Sequence, residues 1–233
     1  MTEGGRRVAV VTGASGGIGS AVADRLEADG FAVARTDVDP SAAFPCDVRD
    51  EQQVLRLRDD VRDELGDPWL LVNVAGVFFE HDVPDLDVGD FDRIVDVNLK
   101  GTFLTCKAFL PAMLAARSGC IVNVASTAAL RAGHRRAVYN ASKAGVLLLT
   151  RCLALDHGPA GVRVNCVCPG LIDTPMADWI RLDGEALGQW ETTVPAQRIG
   201  TVDDVAGAVS FLASADARYM HGAAMVVDGG ATA

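Results

Sequence analysis

Hydrophobic positions along the chain alternate between two rhythms. Short β-branched runs such as Val8–Val11 and Ile121–Val124 are followed by longer stretches whose apolar residues recur every three or four positions. The runs predict strands over Arg7–Val11, Ala32–Thr36, Ala43–Cys46, Leu70–Asn73, Cys120–Ala125, Arg163–Val167 and Ala223–Val227. The longer stretches predict helices over Gly17–Asp29, Glu51–Leu65, Asp90–Ala116, Ala137–Gly158 and Val202–Ser214. Strands alternating with helices predict an α/β fold, a doubly wound parallel sheet of Rossmann-like form, in a single domain over residues 1–233.

Two segments break the rhythm. Only Val38–Pro45 separates Asp37 from Cys46, too short for a crossover helix, so a loop or single turn is expected there. Residues 171–198 insert an amphipathic piece with Met176, Trp179, Ile180, Leu187 and Trp190 among prolines and glycines. Such an insertion reads equally as an active-site lid over the substrate or as a docked surface helix.

Composition narrows the function. With 49% hydrophobic residues, 233 residues form an ample core, and a net charge of −10 argues against nucleic-acid and anionic-membrane partners. No apolar stretch reaches membrane-spanning length, and Met1–Arg7 lacks the features of a signal peptide, so a cytoplasmic protein is expected. Six cysteines lie in apolar stretches, as free thiols do. Cys166 and Cys168 share a strand face but lack further ligand partners, and no metal is expected.

The candidate chemistry begins after Val11. In Thr12-Gly13-Ala14-Ser15-Gly16-Gly17-Ile18-Gly19 a glycine-rich turn joins a strand to a helix. Its glycines permit a tight bend and close approach of a pyrophosphate to the helix N-terminus. Asp37, at the end of the second strand, can accept both adenosine ribose hydroxyls and repel a 2′-phosphate, which favours NAD over NADP. It also reads as a turn-forming Asp. Arg35 falls on the same strand face, two residues short of the ribose. Gly16 stands where an arginine could grip an extra phosphate. Tyr139 and Lys143 share a helix face at i, i+4, Ser126 follows a predicted strand at the sheet's carboxyl edge, and Asn98 is a lone polar residue in an apolar helix.

With Asp47-Val48, Asn73-Val-Ala-Gly76, Asn165, Pro169-Gly170, Thr174 and Asp228-Gly-Gly230, these motifs resemble the short-chain dehydrogenase/reductase family over essentially the whole chain. The resemblance implies that Tyr139 is the acid/base, that Lys143 holds the nicotinamide ribose and acidifies the phenol, that Ser126 binds the substrate oxygen and that Asn98 positions a water. It implies cofactor contacts from Gly13, Ser15, Gly16, Gly17, Ile18, Gly19, Asp37, Asp47, Val48, Asn73, Ala75, Gly76, Pro169, Gly170, Ile172 and Thr174 as well. An ammonium at ~4 Å and an effective dielectric of ~20 contributes roughly 4 kcal/mol, about 3 pKa units, which would bring a phenol near 7 unless desolvation opposes it.

The expected activity is hydride transfer between NAD(H) and a secondary alcohol or ketone, in a homotetramer built on the helices around 90–116 and 137–158 and on the C-terminal strand. Val124-Ala125-Ser126 and the short second crossover resemble dihydrodiol dehydrogenases, which points toward a cyclic or aromatic-precursor diol. An NADPH-dependent 3-oxoacyl or polyketide ketoreductase and a non-catalytic dinucleotide-binding protein are the alternatives. Arg131, Arg135 and Arg136 lie between Ser126 and Tyr139. They fit a carboxylate substrate, or equally a solvated loop or a subunit contact.

Overall fold

The computed structural model describes residues 6–233. The reading of the chain's first segment therefore lies, for Met1–Gly5, outside the described residues. Seven parallel strands among those described form one sheet: β1 (Val8–Thr12), β2 (Ala32–Asp37), β3 (Phe44–Pro45), β4 (Pro68–Asn73), β5 (Gly119–Val124), β6 (Val162–Pro169) and β7 (Ala224–Val227), in the order β3-β2-β1-β4-β5-β6-β7. This is the doubly wound Rossmann-like fold that the alternation predicts. Strand order reverses between β1 and β4, and a crevice opens at the carboxyl ends of the strands at such a point.

Every residue of β1 and β5 is buried, which explains their continuous apolar runs: helices cover both faces. Period-two alternation sorts the side chains. Val8 and Val10 pack with Leu71, Ile121, Phe109 and Met113 on one face, while Ala9 and Val11 pack with Val22, Leu26, Val205 and Leu212 on the other. The second face belongs to α1 (Gly17–Ala28) and α8 (Val202–Ala213), the first to α2 (Glu51–Leu65) and α4 (Gly101–Ala116). The long α5 (Ala137–His157) packs on the first face through Ala154. Helix starts carry their signals: the Asp50 carboxylate accepts from the N–H groups of Gln52 and Gln53, and Thr201 with Asp204 forms a capping box.

The helix expected over Asp90–Ala116 is divided. Here α3 (Val88–Val95) passes into a single π turn over Asp96–Lys100 and then into α4. Two hydroxyls tap the backbone at this point, Thr102 donating to the Asn98 carbonyl (2.8 Å) and Thr105 to that of Gly101 (3.0 Å). Apolar periodicity does not register a one-residue slip of this kind. The β2–β3 connection holds no helix, as its length requires. The insertion after β6 folds into two short helices, α6 (Asp178–Arg181) and α7 (Gly184–Thr193). No described helix is long and apolar enough to cross a membrane.

Candidate active site

Two adjoining cavities open at the carboxyl edge of the sheet. The larger, about 560 Å³, runs from the glycine-rich turn past Asp37, Asp47 and Val48. The smaller, about 360 Å³, lies beside Ser126, Tyr139 and Lys143. Ile18, Val74, Gly76, Thr174 and Met176 line both, so the two form one continuous groove.

The turn between β1 and α1 has little latitude. Gly13 has φ +67°, and a Cβ there would lie 2.9 Å from the Ala75 backbone. A Cβ on Gly19 would lie 1.9 Å from the Gly13 carbonyl oxygen. At Gly16 a Cβ would meet only open space, and this residue caps α1 without any side-chain hydrogen bond. First-turn N–H groups therefore face the groove without a side-chain acceptor, as an incoming phosphate requires. Ser15 is turned elsewhere: its N–H donates to the Asp37 carboxylate (3.0 Å), which also accepts from Asp39 N–H (3.2 Å). Asp37 thus stays at the groove wall in a fixed orientation. Arg35 does not compete for the ribose, because its guanidinium is bound to Asp24 (2.5 Å) and Glu27 (2.9 Å) on α1. Asp47 is fixed by Arg49 (2.6 Å), which holds its carboxyl below the usual range.

Tyr139 and Lys143 lie on the first turns of α5, and Ser126 caps the turn that follows β5. The Lys143 ammonium is buried, donates to the Val124 carbonyl (3.0 Å) and sits 5.9 Å from the centre of the Tyr139 ring. A Cβ on Gly76 would lie 3.3 Å from both the Lys143 ammonium and the Asn98 amide oxygen, so the glycine keeps that space open. Burial pushes Lys143 down to about 8. Burial also pushes the Tyr139 phenol up, while Ser126 and then Arg136 pull it down. The electrostatic expectation for the tyrosine is corrected here. Desolvation outweighs the Ser126 hydrogen bond and the Arg136 charge, and the phenol of the cofactor-free chain is not brought toward 7.

Two other expected residues are also tied into the scaffold. Asn73 is buried, donating to the Asn123 amide oxygen (2.8 Å) and accepting from Thr105 (2.7 Å). Its amide ties β4 to β5 and α4, and Val74, Ala75 and Gly76 line the groove in its place. Asn98, with no exposed surface, accepts from Val77 N–H (2.8 Å) and donates to the Val77 carbonyl (3.0 Å) and to Ser142 (3.1 Å). Both amide hydrogens are committed, so this side chain clamps the strand extension that carries Gly76. Its amide oxygen keeps one lone pair free and faces the space that Gly76 leaves open, where a water can be held.

The chain matches the family described as enoyl-(acyl carrier protein) reductase over residues 13–232. It is 43% identical to 2-(R)-hydroxypropyl-CoM dehydrogenase of Xanthobacter autotrophicus, over 97% of this chain and 99% of that protein. It belongs to the short-chain dehydrogenase/reductase family. A second relative, meso-2,3-butanediol dehydrogenase of Serratia marcescens, is 38% identical over 97% of this chain and 95% of its own. A gluconate 5-dehydrogenase from Burkholderia cenocepacia, solved with NADP and tartrate, superposes with a TM-score of 0.94 at 29% identity, covering 98% and 96% of the two chains. This short-chain dehydrogenase/reductase is accordingly an oxidoreductase acting on CH–OH groups and using a nicotinamide dinucleotide.

The substrate side holds what the sequence reading missed or left open. Pro169, Gly170, Ile172 and Thr174, expected at the nicotinamide, line this cavity. Phe78, after β4, meets the Tyr139 ring edge-on at 5.0 Å, and Trp179 lies 6.4 Å from Phe78. The Asp228 carboxylate accepts from Gly230 N–H (2.9 Å) and Thr232 N–H (2.9 Å), and so turns Ala231 and Thr232 into the cavity wall. No periodicity marks Phe78. Of the three loop arginines, Arg131 and Arg136 line the cavity, while Arg135 faces Asp82 at 3.8 Å.

Proposed function

We propose that the protein transfers hydride between NAD(H) and a secondary alcohol or ketone, cyclic diols included. The observation that carries this reading is the convergence of Ser126, Tyr139 and Lys143 on one wall of a cavity that opens into the glycine-lined groove. Bound in that groove, the nicotinamide supplies or accepts the hydride. Gly13, Gly16, Gly17 and Gly19 admit the pyrophosphate, Ile18, Val74 and Ala75 pack against the dinucleotide, and Asp37 accepts from the adenosine ribose. Asp47 and Val48 flank the adenine, and Pro169, Gly170, Ile172 and Thr174 enclose the nicotinamide end. Ser126 donates to the substrate oxygen. Tyr139 gives that oxygen a proton in reduction and takes one in oxidation. Lys143 donates to the second ribose, and its charge favours the phenolate.

Asp37 supports NAD over NADP, since a 2′-phosphate would meet its carboxylate, and Arg49, which lines the groove together with Arg93, is bound to Asp47. NAD(H) is expected to bind at least tenfold tighter, about 1.4 kcal/mol. A panel of alcohols and ketones read by nicotinamide absorbance with each cofactor tests the reading. Tyr139→Phe should fold, bind NAD and lose roughly 10²–10⁴-fold in turnover. Full activity in that variant overturns the mechanism, and a preference for NADP(H) overturns the role of Asp37.

We also propose a cytoplasmic homotetramer. Val146 and Leu147 are spent in the chain's own core, but Phe103, Leu148 and Leu155 on α4 and α5 and Val226 on β7 are exposed. Light scattering and cell fractionation check both points.

A further inference from the structure

The wall beside Tyr139 contains a cation that neither hydride nor proton transfer uses. Arg136 stands at the N-terminus of α5, its guanidinium carbon 4.5 Å from the centre of the Trp179 ring and 5.3 Å from that of Phe78. Its Nε is buried and donates no hydrogen bond. Glu80 forms a loose ion pair with it, 3.5 Å from Nε and out of line for a hydrogen bond. Aromatic faces attract a guanidinium without accepting from its in-plane N–H groups. The side chain keeps 29% of its surface, and its terminal N–H groups make no hydrogen bond within the described residues, so these donors are the ones a ligand in the cavity can meet. Gly133 makes room for this placement, since a Cβ there would come within 3.3 Å of Arg136 Cδ. Arg131, on the same wall, already donates to the Ala231 carbonyl (3.3 Å).

The cofactor phosphates are not the missing acceptor. They are drawn to the glycine-rich turn, and that turn lines the other cavity, which Arg136 does not reach. In a chain of net charge −10, a cation held in an aromatic recess selects an anion by contrast with its surroundings. We infer that Arg136 is a specificity-determining residue: it pairs with an oxyacid anion, carboxylate or sulfonate, carried on the carbon skeleton of the substrate, while Phe78 and Trp179 pack the apolar part. The inference deepens the proposed function, resting on that reading only in taking this cavity as the substrate site.

Calorimetry on the NAD-loaded protein tests it without turnover. The probes are cyclohexanecarboxylate, cyclohexanesulfonate and the neutral cyclohexanecarboxamide, none with a hydroxyl to oxidise. At least one anion should bind tenfold or more tighter than the carboxamide, the size of one charge-assisted hydrogen bond, and the better anion identifies the group. Arg136→Met, which keeps the apolar stem, should shrink that advantage below threefold, and Arg136→Lys should retain part of it. Wild-type protein that binds the anions no better than the carboxamide, or binds none of the three, overturns the inference. An advantage that survives Arg136→Met also overturns it, by assigning the anion to Arg131. Arg136-dependent anion binding in a protein inert toward every alcohol would sink hydride transfer alone. Turnover of neutral alcohols without any anion advantage would sink only the anion site.

Discussion

The two halves of the groove are built by different means. On the cofactor side the backbone does the work: a turn at positive φ, a helix start without a side-chain cap, and glycines at which a Cβ would strike the main chain. On the substrate side the walls are side chains from distant segments, namely Phe78 after β4, Arg136 at the start of α5, Trp179 on α6 and the tail turned by Asp228. Main-chain geometry is shared by any member that binds the same dinucleotide, whereas side chains can change one at a time. One half therefore fixes the reaction class and the other the substrate.

Backbone-built sites should be brittle, and the largest effect is expected there. Gly19→Ala places a methyl group 1.9 Å from the Gly13 oxygen and 2.6 Å from its carbon, and neither atom can move without parting α1 from β1. About 3 kcal/mol of stability should be lost, with at least a hundredfold loss in NAD affinity as the helix start shifts. Urea denaturation and cofactor titration measure the two. At Gly188, inside α7, a Cβ meets open space, and Gly188→Ala should stabilise by up to about 1 kcal/mol through helix propensity. Equal tolerance at both positions would erase the contrast between the halves.

Lys143 stands at the seam. Burial holds it down to about 8, whereas the unfolded chain keeps this proton to about 10.4. Below pH 8 the folded cofactor-free protein carries a desolvated charge, a cost of about 3 kcal/mol. Between pH 8 and 10 the unfolded chain binds more protons, so this contribution makes stability rise with pH. Buried thiols act in the opposite sense, with Cys46 and Cys120 pushed up to about 11 and Cys106 to about 12 by burial. The informative quantity is thus the difference between wild type and Lys143→Met. Urea denaturation at pH 7 and pH 10 should find the variant's advantage large at 7 and mostly gone at 10. A pH-independent difference would mean that the lysine is not desolvated.

What the sequence made legible follows the same division. Glycine spacing, Asp37 and the Tyr139–Lys143 pair could be read because fixed backbone geometry demands fixed residue types at fixed intervals. The break at Asp96–Lys100 could not, since a π turn leaves the apolar stripe intact, and the Thr102 and Thr105 hydroxyls bond carbonyls four residues back as they would in an uninterrupted helix. Asn98 stands out as a polar residue in apolar surroundings and Asn73 through its motif, yet their partners, Val77 and Asn123, lie 21 and 50 residues away. Spacing alone could not separate a cofactor contact from a buried clamp. Arg135 and Arg136 are adjacent in sequence and indistinguishable there, but Arg135 has φ +57° and faces Asp82, while its neighbour lies in the corner formed by the Phe78 and Trp179 rings.

The smallest effect tests whether the two halves communicate. The Arg136 cation pulls the Tyr139 phenol down, against the burial that pushes it up. Removing the cation in Arg136→Met should therefore move the alkaline limb of alcohol oxidation upward. A substrate anion seated on Arg136 offsets the same charge. In the wild type the limb should accordingly lie higher for an alcohol carrying a carboxylate than for its neutral amide. In Arg136→Met the two substrates should titrate together. A scaffold role for Arg136 would alter stability or KM yet leave both limbs in place, so the pH profile separates electrostatic coupling from packing. Identical limbs for both substrates in wild type and variant would mean that the substrate half does not reach the proton-transfer step, and that Arg136 has no part in tuning Tyr139.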